Sequence, residues 1–147
     1  MKIVQALHQL DSHQRQILSH IDAALPLLQL PPDQAQHPLA VARWQMVRML
    51  HAYQIFKHIE IFDPAIRSGS PDHARAATRM KAECIAAGDS FRRHVQQWSA
   101  TSIADSWDSY RPAMLAMAEE LRRHIVRERR SVEMLLDGAE RTRRLAG

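Results

Sequence analysis

The chain has 147 residues, 24% of them charged, with a net charge of +4 when its nine histidines are counted as neutral, and a pI near 9.8. That length suits one domain whose core needs no disulfide or metal staple, and the single cysteine, Cys84, excludes an internal disulfide and fits a reducing compartment. The start shows no apolar run long enough for a secretory leader or a membrane span, so a soluble cytoplasmic protein without membrane contact is expected.

Four glycines and few β-branched runs leave little material for hairpins, while Ala, Leu, Met, Gln, Arg and Glu favour helix, so the fold is expected to be all-α. The first periodic segment spans about Ile3 to Leu28, and the polar, proline-rich "QLPPDQAQHP" (Gln29 to Pro38) reads as a connection. A second helix then reaches about Arg67. "SGSPDH" (Ser68 to His73) gives a turn and a fresh start, with Ser70 as N-cap and Pro71 at the first helical position. The third helix runs to about Trp98, and "SATSIADSWDSYRP" (Ser99 to Pro112) is the longest connection. The fourth spans about Pro112 to Leu136, with Gly138 as its stop. Mostly short connections imply antiparallel neighbours, hence an up-down-up-down antiparallel four-helix bundle over residues 1–137 and an Arg-rich C-terminal tail over 138–147.

The basic excess lies late, at Arg122, Arg123, Arg127, Arg129, Arg130, Arg141, Arg143 and Arg144. Glu119, Glu120, Glu133 and Glu140 are interleaved with it, and no groove-reading motif accompanies it. The run therefore reads as a solvated helix face rather than a nucleic-acid contact.

Spacings of three and four residues keep side chains on one helical face. Read this way, the first helix turns Leu10, His13, Ile17, Ile21 or His20, Ala24 and Leu28 inward. The second presents Val47, His51, Gln54, His58, Ile61 and Ala65. The third presents Ala77, Met80, Cys84, Ala87, Phe91, His94 and Trp98, and the fourth Met114, Met117, Leu121, His124, Glu128 and Leu135. Each stripe thus carries polar, mostly ligand-type residues. Taken singly, an inward His is usually hydrogen-bonded within the core and a free Cys is usually a small buried hydrophobe. Together they demand more, because a buried Glu128 beside His124 needs a cation, a proton or a hydrogen-bonded partner. In an antiparallel bundle His13, the Gln54 to His58 turn, Cys84 and the His124 to Glu128 turn meet at one depth. His94 lies roughly 15 Å further along the axis at the usual helical rise, forming a second polar layer with His20 and His51.

Four stretches carry a family resemblance: "LDSHQRQILSHI" (Leu10 to Ile21), "YQIFKHIEIFDPAI" (Tyr53 to Ile66), "KAECIAAG" (Lys81 to Gly88) and "HIVRERR" (His124 to Arg130). From about Leu10 to Leu136 the chain resembles the hemerythrin-like bundle, the HHE domain, whose members hold a non-haem di-iron centre and use it with dioxygen, nitric oxide, iron or redox signals. The resemblance implies that His13, His124 and Glu128 stand at expected ligand positions. Gln54 stands where a His is expected, His58 where a bridging Glu is expected, and Cys84 where another His is expected. With one bridging carboxylate lost, the implied site is either a degenerate iron centre or a mononuclear one. His13, His58, Cys84 and His124, with Glu128 as a rival fourth ligand, suit a borderline ion such as zinc.

Three functions follow as expectations. One is a hemerythrin-like metal-binding protein that senses or binds oxygen, redox species or metal, with a diatomic ligand as partner and Cys84 as an oxidation-sensitive thiol. The alternative is a metal-free regulatory or protein-interaction module that keeps only the fold, with the basic fourth helix or the Trp98, Trp107 and Tyr110 cluster as its partner surface. The last is a haem protein or enzyme. His20 or His51 with His94 would ligate the haem, but no c-type attachment motif, Ser-His-Asp arrangement, phosphate loop or pair of inward carboxylates is present, so no catalytic residue is assigned.

Overall fold

The computed structural model describes residues 3–146, leaving Met1, Lys2 and Gly147 outside it. Every regular element among the described residues is helical: α1 (Ile3–Ala24), a 3-10 turn (Leu25–Gln29), α2 (Pro32–Lys57), a π-helical turn (His58–Phe62), α3 (Asp63–Ser68), α4 (Pro71–Ser99) and α5 (Trp107–Ala146). The four long helices each pack on two others, α1 on α2 and α5, and α4 on α5 and α2. Among the described residues no helix is long and apolar enough to cross a membrane.

In α1 the buried side chains are Ala6, Leu10, Gln14, Ile17, Ile21 and Ala24, one face in steps of three and four. The α4 stripe is Ala77, Met80, Cys84, Phe91, Val95 and Trp98, the register read from the sequence except that Val95 is buried while Ala87 and His94 are only partly so. Its start is also as expected, with Pro71 in the first turn and the Ser70 side chain accepting a hydrogen bond from the backbone N–H of His73.

Two proline-bearing segments are helical where connections were expected. Helix α2 begins at Pro32 and continues through Pro38, and α5 begins at Trp107 and continues through Pro112. Each proline removes one backbone bond. Packing outweighs that loss, because Ala35 and Leu39 of α2 and Tyr110 of α5 are buried together with Leu28, Trp98 and Ile103 in one cluster. Trp98 meets Tyr110 edge-on at 5.1 Å and Trp107 stacks on it at 6.2 Å. Trp98 and Tyr110 are therefore core residues rather than an exposed partner surface.

The fourth helix also outlasts its expected stop. It passes through Gly138 to Ala146, so the Arg-rich segment is its final turns. No glycine among the described residues has a positive φ. A Cβ at Gly138 would lie 2.5 Å from Nε2 of His73, so glycine there serves the close approach of α5 to the start of α4. Arg141 to Asp137 and Arg144 to Glu140, four residues apart, line the extension with opposite charges.

Between α2 and α3 the π turn carries a hydrogen bond from the Asp63 N–H to the His58 carbonyl, one residue wider than an α-helical bond. It directly precedes Pro64, whose ring cannot coexist with a normal α-helical bond to the carbonyl four residues back. The inserted residue rotates the chain, so the neighbours Ile61 and Phe62 are both buried.

Candidate functional site

The second helix does not face inward along the register expected for it. The stripe Val47, His51, Gln54, His58 gives way to one turned by a residue: Leu39, Arg43, Met46, Tyr53 and Lys57 are buried, while His51 is exposed and Gln54 and His58 are partly buried. In the first helix Leu10, Ile17, Ile21 and Ala24 are buried as expected, and the difference is confined to one position, with Gln14 buried and His13 partly so. Two charged side chains, Arg43 and Lys57, are thus buried, Lys57 in place of the adjacent His58.

Lys57 is the centre of the resulting arrangement. Its ammonium donates to Oε1 of Glu128 at 2.7 Å, with 2% and 5% of the two side chains exposed. The Tyr53 hydroxyl donates to the same oxygen at 2.6 Å, and the ammonium sits 3.8 Å from the centre of the Tyr53 ring. Gln14 Nε2 donates to the Tyr53 hydroxyl at 2.8 Å and reaches the Ile125 carbonyl at 3.4 Å. The other carboxylate oxygen, Oε2, faces Nε2 of His124 at 3.4 Å. Three helices therefore converge on one carboxylate.

Burial alone would push the Glu128 carboxyl up, but the hydrogen bond from His124 and the charge and hydrogen bond of Lys57 outweigh it and hold the group down at about 2. Glu128 is thus ionised and acts only as an acceptor. Burial and the Glu128 charge raise Tyr53 well above the ordinary phenol range, so it stays a hydrogen-bond donor. Burial also raises the Cys84 thiol, and nearby Lys57 offsets this without reversing it. Cys84 is accordingly a protonated thiol at neutral pH, which is the less reactive form.

Of the five expected metal ligands, His13, His58, Cys84, His124 and Glu128, the structure pairs His124 with Glu128, at 3.4 Å, and sets the Lys57 ammonium on the Glu128 carboxylate at 2.7 Å. The positive charge of Lys57 also acts on His13, His58 and Cys84. His13 stacks on Phe56 at 5.1 Å and lies against Tyr53, and His58 lies against Phe62 with its Nε2 buried and without a partner. Among the described residues no group of three or more His, Cys, Asp or Glu side chains is disposed to hold one metal ion. As arranged, the residues do not fit a di-iron centre. There is one carboxylate rather than a bridging pair, and an ammonium at 2.7 Å already neutralises it.

The expected second layer is also divided. His20 is hydrogen-bonded to the Ala42 carbonyl at 2.8 Å, and His94 stacks on Phe91 and lies tilted against Tyr110, both beside one small cavity. His51 borders a different cavity, of about 360 Å³, between α2, α4 and α5. That larger cavity reaches the network: Tyr53, Lys57, Cys84, Gln54 and His124 line it together with Trp44, Leu50 and Phe91.

Lys57, Tyr53, Gln14 and Arg43 were missed from sequence. The available signal was a rival stripe in the second helix, Leu39, Arg43, Met46, Leu50, Tyr53, Lys57, Ile61, which also steps by three and four. It is more apolar than the histidine-bearing one. No family model, no curated protein and no solved structure matches the chain.

Proposed function

We propose that the protein is a metal-independent regulatory or binding module built as an up-down-up-down antiparallel four-helix bundle. It is a divergent relative of the hemerythrin-like fold in which a lysine ammonium has replaced the metal as the internal cation. The observation that carries this reading is the buried Lys57–Glu128 pair at 2.7 Å, completed by Tyr53 and Gln14. An ammonium supplies the compensating charge that a buried carboxylate requires, and the hydrogen bonds satisfy the lone pairs that burial would otherwise strand.

The contacts between helices support the antiparallel arrangement. Along α1 and α5 the partners are Asp22 with Arg122, Gln14 with Ile125 and Asp11 with Arg129, numbers that fall on one helix as they rise on the other. His20 with Ala42 and Gln14 with Tyr53 do the same for α1 and α2. The cavity of about 360 Å³ supports a binding role: it is apolar at Trp44, Leu50 and Phe91 and polar at Gln54, Lys57 and His124, the mixture that orients a small amphipathic molecule.

A second reading, a mononuclear metal site that senses oxygen or redox state, is favoured by His124 and Glu128, which share one helical turn with Nε2 and Oε2 at 3.4 Å. Elemental analysis of protein purified without chelator separates the two. The metal-independent module is expected to carry less than about a tenth of an equivalent of any transition metal, since a dedicated site copurifies with its ion. Near-stoichiometric metal that is lost in His124→Leu would overturn it.

A further inference from the structure

We propose that the cleft between α2, α4 and α5 selects its ligand by charge and takes an amphipathic anion, a medium-chain carboxylate whose head meets His51 and Arg92 and whose alkyl chain lies along the apolar wall toward Trp44. The inference names the ligand class for the binding role proposed above and rests on that role.

The sign of the cleft comes from what borders it and what does not. Lys57 and Arg92 line it, with His51 and His124, whereas among the described residues no Asp or Glu does. Each cation has a carboxylate partner, Glu128 for Lys57 at 2.7 Å and Asp89 for Arg92 at 3.0 Å, but neither carboxylate belongs to the lining. The nearest charges are therefore positive and the negative ones stand further off. Such an arrangement favours an anion and disfavours a cation of the same shape. Lys57 is almost fully buried and committed to Glu128, so the head contact falls to the exposed Arg92 and His51.

The apolar part of the cleft lies to one side of these two residues. Cys84 lies beside Lys57, and Gly88 faces the Gln54 side chain, so numbers fall along α2 as they rise along α4. By the same count His51 comes level with Arg92 and Val47 with Val95, with Trp44 a turn beyond. From His51 to Trp44 is two helical turns, about 10 Å, a wall to which Leu50 and Phe91 also contribute. Trp44 is 55% exposed at its end. An alkyl chain laid there removes indole surface from water, while its carboxylate stays at the cationic level and keeps part of its hydration.

The test is a titration of ¹⁵N-labelled protein with octanoate, octanamide and octylammonium, three eight-carbon probes that differ in charge. Trp44 borders the cleft, whereas Trp98 and Trp107 belong to the other aromatic cluster and serve as internal controls. Octanoate is expected to shift the Trp44 indole N–H resonance saturably, to leave those of Trp98 and Trp107 in place, and to bind at least about threefold tighter than octanamide, with octylammonium weakest. In the double variant His51→Gln with Arg92→Gln, at two exposed positions, octanoate should fall to the affinity of octanamide and octanamide should keep its own. Octanamide binding as tightly as octanoate, or octylammonium binding best, overturns the charge selection and leaves the cleft a binding site. No saturable Trp44 shift with any of the three, or equal shifts at all three indoles, overturns the binding role as well. A preference for octanoate that survives intact in the double variant overturns the assignment of its head to His51 and Arg92.

Discussion

Lys57 and Glu128 are worth more as a pair than either is alone. Replacing only Lys57 by Met leaves an ionised carboxylate buried beside Tyr53, a change that costs about 3–5 kcal/mol. Lys57→Met with Glu128→Leu removes both charges and should recover much of that loss, since well-packed apolar replacements of buried pairs are often neutral. Urea denaturation of the two single variants and the double variant checks this; additive losses would show that the two groups do not act as a pair. At this scale the sequence was legible in part. Glu128 with His124 was visible as a polar turn demanding a partner, and the partner proved to be a cation. That it is Lys57 was not visible, because Lys57 and His58 are adjacent and both border the same helical face.

Helix α4 carries its own instructions. Its cap, its proline and its apolar stripe agree, so it forms close to the register read from the sequence. Its two packed glycine contacts differ in kind, and substitutions should separate them. A Cβ at Gly88 would meet the Gln54 side chain at 3.6 Å or more, ordinary contact, whereas at Gly138 it would meet His73 at 2.5 Å. Gly88→Ala is therefore expected to stabilise by up to about 1 kcal/mol through helix propensity alone. Gly138→Ala should gain less or lose, because His73 Nδ1 is tied to Ser70 Oγ at 2.7 Å and its retreat disturbs the cap. Thermal unfolding of the two variants side by side shows the contrast; equal gains would mean that His73 moves freely. Helix boundaries near Pro38 and Pro112 were misread for a related reason: proline is a local signal, and burial of Ala35, Leu39 and Tyr110 overrides it.

The molecule as a whole should lose stability as the pH falls below neutral. Burial, with the charge of Arg43, lowers His94 from an ordinary 6.5 to about 4. Between those values the unfolded chain holds a proton that the folded chain does not, so stability rises with pH across the window. It is complete above about 6.5 and is lost as the pH falls through about 4. His13 and His58 are lowered as well, mainly by burial, and add in the same sense. Glu128 contributes only at the acid end, from its ordinary 4.5 down to about 2. Melting temperatures measured from pH 4 to 7 should climb, and His94→Phe should flatten the climb. An unchanged slope in that variant would assign the effect to other groups.

Taken by itself, the sequence determined that the chain is helical, roughly where its four long helices lie, and that their meeting faces carry polar groups. Composition, breakers and apolar spacing are properties of each segment alone, so they survive in any packing. Only the tertiary structure decided which member of each adjacent pair turns inward, Gln14 over His13 and Lys57 over His58. Successive residues on a helix differ by about 100°, while a buried stripe is at least that wide, so a stripe read in isolation admits two registers. The choice falls to the partner across the interface. Glu128, reached from α1 and α2 through Gln14, Tyr53 and Lys57, is the partner that makes it.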